Sequence, residues 1–113
     1  MSTAAETLWP IPDDLRGTGR TAAETIRAFL DKHDLMEHGG GGRFYTPEQW
    51  ADRGEDYGTK SLLVVTHDGG DHARAFNLDY GDHQSHEALQ NALGEVGMYV
   101  EGCTTWYSAV YRR

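Results

Sequence analysis

Residues 60–80, KSLLVVTHDGGDHARAFNLDY, constrain the fold of this chain more than any other stretch. An apolar run precedes Gly69 and Gly70, and a second strand-like run follows them. A two-residue Gly-Gly connection between such runs is typical of a tight turn whose central residues have positive φ. The segment therefore predicts a β-hairpin.

The two glycines also predict which residues of the hairpin lie opposite each other. In this register Lys60 faces Asp79, so opposite charges are paired, and a one-residue slip would lose that pairing. The other predicted pairs are Val65 with Arg74, Leu63 with Phe76, His67 with His72 and Asp68 with Asp71.

The first strand of this hairpin is apolar on both of its faces. Leu62 and Val64 point to one side, and Leu63 and Val65 point to the other. Strands of this kind are usually central in a sheet and covered on both sides. We expect the hairpin to form the middle of a sheet of four or five strands.

Two main helices are predicted from caps and apolar spacing. Thr21 and Glu24 match a capping box, and an apolar stripe predicts a helix over residues 21–33. A second stripe predicts a helix over residues 84–96, which Gly97 ends. Between these helices, a short helix near residues 46–53 follows a Thr-Pro-Glu-Gln capping sequence.

The end of the chain has the composition of strands. Residues 98–100 begin one strand, and residues 103–111, rich in β-branched and aromatic types, form another. A helix that crosses back over the sheet would place the first of these parallel to residues 73–79. The pattern as a whole predicts an α+β fold with a mixed, mostly antiparallel sheet around the central hairpin at about residues 60–80.

Length and cysteine content indicate one domain. A chain of 113 residues can bury a core without metal or disulfide support, and its single Cys103 cannot form an internal disulfide. Residues 1–20 have no sustained period and predict a loose N-terminal arm, so residues 21–113 form the α+β domain. A cytoplasmic location is expected, because the sequence contains neither an apolar leader nor a membrane-spanning run.

The charge of the chain favours some partners and disfavours others. With 18 acidic and 10 basic residues, the formal net charge is -8. An acidic surface repels phosphates, so direct binding of nucleic acid is not expected. The same charge suits a basic surface of a partner protein.

Aromatic residues supply the candidate interface. Trp and Tyr are common anchors in protein interfaces, and this small chain has 3 Trp and 6 Tyr residues. We expect a small acidic protein-binding or adaptor domain, of the kind that a phage or mobile element could use as an inhibitor; a homodimer is compatible with these features. The candidate partner-binding residues are Trp9, Trp50, Tyr57, Trp106, Tyr107 and Tyr111.

Histidines supply the alternative, a metal-binding module or a small metal-dependent enzyme that uses zinc or another divalent ion. Four of the six histidines lie close together in sequence, and imidazole is a common zinc ligand. In the predicted hairpin one pair lies beside the turn and the other pair follows the second strand, so a single four-histidine site is not expected. The candidate ligands are His67, His72, His83 and His86.

Enzyme activity is not favoured by any complete motif. The sequence from His86 to Gln90 begins like a zincin helix but ends in Gln where the second histidine ligand is required. Cys103 has no identifiable activating partner, and no nucleophile elbow surrounds a serine. We therefore predict no catalytic residues and no cofactor for the protein-binding interpretation.

Overall fold

In the computed structural model, the described residues are 9–35, 42–55, 57–67, 72–77, 81–104 and 106–113. They form an α+β domain with four helices and a four-stranded sheet, which confirms the predicted fold class. The helices are α1 (Gly17–Lys32), α2 (Pro47–Asp52), α3 (Ala73–Phe76) and α4 (His83–Gly94). The strands are β1 (Arg43–Tyr45), β2 (Leu63–Thr66), β3 (Met98–Gly102) and β4 (Tyr107–Arg112).

The sheet has the strand order β1-β2-β4-β3, and every described pair of neighbouring strands is antiparallel. Strand β2 is central, with Val64 lying between Tyr45 of β1 and Ala109 of β4. All four residues of β2 are buried. The prediction of a central strand from two apolar faces is thus confirmed.

The predicted hairpin partner of β2 is wrong. Ala73–Phe76 forms the short helix α3, and Leu63 lies opposite Val110 of β4 where the hairpin required Phe76. The sequence Ala-Arg-Ala-Phe has more helix than strand propensity, whereas β4 offers β-branched and aromatic residues. The glycines of the predicted turn and the pairs involving Asp68, Asp71 and Asp79 lie outside the described residues.

The predicted parallel crossover to β3 is also wrong. Strand β3 pairs with β4 in antiparallel fashion, and Val100 lies opposite Val110. Only residues 103–106 separate the two strands, and a connection this short can join antiparallel neighbours but not parallel ones. The described sheet is therefore antiparallel throughout, and β3 is its terminal strand.

The helices match the predicted positions with shifted ends. Helix α1 begins at Gly17, four residues before the predicted cap, and the Thr21 hydroxyl donates a hydrogen bond to the Gly17 carbonyl oxygen (3.2 Å). The predicted capping box at Thr21 is therefore wrong. Helix α4 extends from His83 to Gly94, with Asp82 as its N-cap. Among the described residues, no helix combines the length and apolar character needed to cross a membrane.

The predicted capping box of the short helix is confirmed. The Gln49 backbone N–H donates to the Thr46 hydroxyl oxygen (3.1 Å), and the Thr46 backbone N–H donates to the Gln49 side-chain oxygen (2.9 Å). Pro47 occupies the first turn, where its missing N–H costs no hydrogen bond. The helix carries Trp50, which is completely buried.

The sheet separates two apolar clusters of different size. The larger cluster joins α1, α3 and α4 to one face of the sheet, which we call the helical face; it includes Ile26, Phe76, Leu89 and Val65. Trp9, from the predicted N-terminal arm, is also buried in this cluster. The smaller cluster, on the opposite face, has Trp50, Val64 and Tyr107 at its centre.

Candidate functional site

The face opposite the helical face is built from aromatic residues and has little helical cover. Side chains of β4 alternate in direction, so Tyr107, Ala109 and Tyr111 share this face. A short helix, α2, and the loop at residues 57–61 pack against it. We call this side the aromatic face; its aromatic residues are Tyr45, Trp50, Tyr57, Tyr99, Trp106, Tyr107 and Tyr111.

The centre of the aromatic face is a contact network around Trp50. Its ring centroid lies 4.8 Å from that of Tyr107, 5.0 Å from Tyr45 and 5.6 Å from Trp106. Such tilted and edge-on pairs suit the ring quadrupoles and add to the stabilisation from burial. Gly58 packs so closely that a Cβ atom there would lie 3.3 Å from Ala109. These contacts make the centre of the face rigid.

The end of the aromatic face near β3 is more open. Tyr99 and Tyr111 are opposite each other in the β3–β4 pair, and their rings stack with centroids 5.8 Å apart. Both side chains are half-buried, and neighbouring Glu101 is exposed. Tyr57, in the loop that packs on this face, has 59% of its surface exposed. Accessible aromatic surface is thus present beside the packed centre.

A guanidinium group already lies on one part of the aromatic face. The Arg53 guanidinium carbon is 4.5 Å from the ring centroid of Trp50 and 5.5 Å from that of Tyr45. Arg53 also forms an ion pair with Glu55, at 3.9 Å between nitrogen and oxygen. This arrangement combines a cation–π contact with a carboxylate, which is how aromatic surfaces commonly hold an arginine.

The electrostatics of the β3 end disfavour negative charge. Burial raises the pKa of the Tyr111 hydroxyl, and the Glu101 carboxylate raises it further. Burial and Glu101 also raise the pKa of the Cys103 thiol, so the thiol is protonated at neutral pH and is a weak nucleophile. The sequence-based expectation that Cys103 lacks an activating group agrees with this environment. Burial disfavours the charged form of both groups, and the Glu101 carboxylate adds repulsion of a further negative charge.

The predicted interface residues separate into buried and accessible groups. Trp9, Trp50 and Tyr107 are buried, so their side chains pack the core instead of forming the surface. Tyr57 is exposed, while Trp106 and Tyr111 are half-buried on the aromatic face. The sequence-based prediction did not include Tyr99, Glu101 or Arg53. Tyr99 and Glu101 could have been found, because residues two apart in a strand lie on the same face.

The first predicted histidine pair is buried in the structure. His67 and His72 have 1% and 2% of their surfaces exposed. The His67 Nε2 atom is hydrogen-bonded to the Ser108 hydroxyl (2.9 Å), and its ring stacks on Phe76 at a centroid distance of 5.1 Å. The His72 ring makes an edge contact with Trp9 at 5.0 Å. Because residue 72 precedes a helix, the two histidines are not a cross-strand pair of a hairpin.

The second histidine pair lies at the start of α4. His83 is exposed, and His86 is half-buried with its Nδ1 atom 2.8 Å from the Ala75 carbonyl oxygen. Across the described ranges, no group of three His, Cys, Asp or Glu side chains is arranged to hold a metal ion. Asp68 and Asp71 lie outside those ranges. No described contact favours the metal-binding alternative over the protein-binding one.

A groove on the helical side provides a second accessible surface. It lies between α1 and α4, has a volume of about 620 Å³, and is lined by small side chains such as Ala28, Ala88 and Ala92. Val96 lies at its edge with 43% of its surface exposed. Unlike the aromatic face, the groove has no tyrosine or tryptophan among its lining residues. It therefore serves as a comparison surface in the experiments proposed for the aromatic face.

Comparison with known proteins identifies no relative. No protein-family model matches the chain, and no curated protein or solved structure is significantly similar to it. On the aromatic face, the accessible rings of Tyr99 and Tyr111 adjoin the carboxylate of Glu101.

Proposed function

We propose that this chain is a small cytoplasmic protein-binding domain whose aromatic face holds a basic segment of a partner protein. The observation that carries the proposal is the half-buried Tyr99–Tyr111 stack beside the exposed carboxylate of Glu101. Aromatic rings supply contact area with little loss of side-chain entropy, and a carboxylate supplies the charge for an arginine or lysine.

The packing of Arg53 supports this choice of partner. Its guanidinium lies over Trp50 and Tyr45 while it pairs with Glu55, so one part of the face already accommodates an arginine of the chain itself. The Tyr99–Tyr111 stack and Glu101 offer the same two kinds of group to an arginine from outside. A partner's arginine would therefore meet a ring surface and a carboxylate together.

The net charge favours the same class of partner over nucleic acid. At a formal charge of -8, the domain attracts basic proteins over distances of about one Debye length, ~8–10 Å at physiological salt. Direct binding to phosphates would require a basic surface instead. An inhibitor that a phage or mobile element directs at the basic groove of another protein is one function of this type.

Titration with a defined peptide tests the proposal. The isotope-labelled chain is titrated with an arginine-rich peptide, and an equally long glutamate-rich peptide serves as the control. We expect chemical-shift changes centred on Tyr99, Glu101 and Tyr111 with the basic peptide alone, and an affinity that falls as salt is raised. Shift changes centred on the α1–α4 groove would contradict the proposed location.

Single substitutions separate the two surfaces. Tyr111→Ser and Glu101→Gln should each weaken peptide binding about threefold, since an exposed cation–π contact or ion pair contributes ~0.5–1 kcal/mol. Val96→Ser removes an exposed apolar side chain at the groove and should leave the affinity unchanged. Equal losses for Val96→Ser and Tyr111→Ser would show that the peptide binds without using the aromatic face.

A further inference from the structure

The outer edge of β3 is bonded by a side chain. The Gln90 side-chain N–H donates to the Val100 carbonyl oxygen (2.7 Å), and the Val100 backbone N–H donates to the Gln90 side-chain oxygen (3.0 Å). Both bonds reach from α4 to the strand that ends the described sheet. The Gln90 amide thus satisfies both the backbone N–H and the backbone C=O of Val100.

These two groups are the ones that an added strand would use. In antiparallel pairs, residues alternately direct their backbone groups toward and away from the neighbouring strand. The carbonyl oxygen of Val110, opposite Val100, accepts from the Leu62 N–H (2.8 Å), so it faces β2. The groups of Val100 correspondingly face outward. A residue of an incoming antiparallel strand would offer one C=O and one N–H to this position, as the Gln90 amide does.

A second contact orients the Gln90 amide. Its nitrogen must face the Val100 carbonyl and its oxygen the Val100 N–H, so the amide has a single hydrogen-bonded orientation. The same nitrogen lies 3.3 Å from the His86 Nε2 atom. With Nδ1–H donating to the Ala75 carbonyl oxygen, His86 Nε2 accepts the second Gln90 N–H. His86 is therefore a positioning residue for the amide.

We infer that Gln90 blocks a dimerisation edge, and that β3 pairs with β3 of a second copy of this chain when the Gln90 amide is removed. Pairing about a two-fold axis at Val100 places Val100 opposite itself, Met98 opposite Gly102 and Tyr99 opposite Glu101. No like charges then face each other across the junction, and the central residue makes two backbone hydrogen bonds. An exposed cavity of about 440 Å³ beside Gln90, lined also by Asn91, Tyr99 and Arg113, leaves the edge accessible.

The outer edge of β3 thus resembles an unpaired strand edge whose Val100 backbone groups are occupied by a side-chain amide. Proteins commonly protect open sheet edges against pairing with other chains, and a side-chain amide is a reversible form of protection. The wild-type chain is expected to be a monomer because the intramolecular Gln90 amide competes with an incoming strand for the backbone groups of Val100. Tyr99 and Glu101 belong to both surfaces, but the inference depends on the Gln90 contacts, and a failure of peptide binding would leave those contacts unchanged.

Replacement of Gln90 tests the inference. Gln90→Leu removes both hydrogen bonds and leaves a side chain with no polar contact to hold it at the edge, so the variant should dimerise in sedimentation experiments from micromolar to millimolar concentration. Gln84→Leu adds the same apolar group at an exposed position of the same helix and should remain monomeric like the wild type. Dimerisation of both variants would point to surface hydrophobicity instead of an opened edge.

Hydrogen exchange of the Val100 amide provides the second measurement. In the wild type this N–H should be protected at every concentration, whereas in Gln90→Leu protection should appear only as the dimer forms. Adding Tyr99→Glu to Gln90→Leu sets carboxylates opposite Glu101 of the second copy and should weaken the dimer about fivefold. A Gln90→Leu chain that stays monomeric at millimolar concentration would overturn the inference.

A further variant covers the case in which Gln90→Leu does not fold. Gln90→Glu keeps an acceptor for the Val100 N–H but at neutral pH has no donor for the Val100 carbonyl. It should therefore dimerise more weakly than Gln90→Leu but more strongly than the wild type. Wild-type behaviour of Gln90→Glu in both sedimentation and Val100 exchange would also overturn the inference.

Discussion

The two faces of the sheet differ in how they are covered. On the helical face, α1, α3 and α4 bury a large aliphatic cluster. On the aromatic face, one six-residue helix and a loop cover a small cluster centred on Trp50, and Tyr57, Tyr99 and Tyr111 are at least partly accessible. The difference teaches that the two sides contribute unequally to the core: the helical face encloses most of the buried residues, and the aromatic face presents rings that the core does not enclose.

The largest expected effect is on the helical face. Leu89→Ala removes a completely buried side chain of α4 and should lower the free energy of unfolding by about 2–5 kcal/mol, measured by urea denaturation. Tyr111→Ser, on the aromatic face, should cost about 1 kcal/mol or less because that ring is half exposed to water. Equal losses of unfolding free energy in the two variants would show that the two faces contribute equally to stability.

A polar contact within the helical face should have the next largest effect. Ser108→Ala deprives the buried His67 Nε2 atom of its hydroxyl partner and should lower the free energy of unfolding by about 1–3 kcal/mol. The double variant with His67→Phe removes both polar partners and should cost less than the sum of the single variants. Additive losses in this double-mutant cycle would show that the hydroxyl and the imidazole do not interact.

A substitution in the capping box of α2 tests how stably this helix is held on the aromatic face. Thr46→Ala should lower the free energy of unfolding by about 1 kcal/mol, because the Gln49 backbone N–H loses its hydroxyl acceptor. Thr46→Ser keeps the hydroxyl and should behave like the wild type. If the Trp50 fluorescence of Thr46→Ala changes before global unfolding, the thin cover opens separately from the helical face.

The smallest expected effect depends on pH and concerns the N-cap of α4. The Ser85 hydroxyl donates to the Asp82 carboxylate and, with the Ser85 backbone N–H, lowers the carboxyl pKa from its ordinary value of 3.8. Because the folded-state pKa is lowered, the stabilisation is present above the ordinary value and is lost as pH falls through the lowered one. Asp82→Ala should reduce the melting temperature at neutral pH.

The pH series of Asp82→Ala supplies its own control. The difference in melting temperature from the wild type should shrink as the solution is acidified below the ordinary carboxyl pKa of 3.8. Ser85→Ala should reproduce part of the same pH dependence because it removes the main cause of the shift. A difference that stays constant with pH would show that the carboxylate charge has no role in the cap.

Local signals in the sequence were sufficient for three of the four described helices but not for α3 or for the candidate site. The Thr46 capping box and the apolar stripe of α4 act over three or four residues, and both appear at the predicted places. The aromatic count predicted an interface, yet exposure separates Trp50 from Tyr57 although both are aromatic and lie seven residues apart. Which ring is enclosed depends on elements that are distant in sequence.

The sequence alone determined the α+β class, the central position of β2 and the approximate extent of three helices, because these depend on periodicity and caps. The tertiary structure decided that β2 pairs with β1 and β4 and that residues 73–76 are helical. It also decided that His67 meets Ser108 and that Gln90 covers Val100. Several segments distant in sequence could pair with the same central strand, and the pair that forms is the one that buries its side chains best. No local sequence pattern reports that outcome.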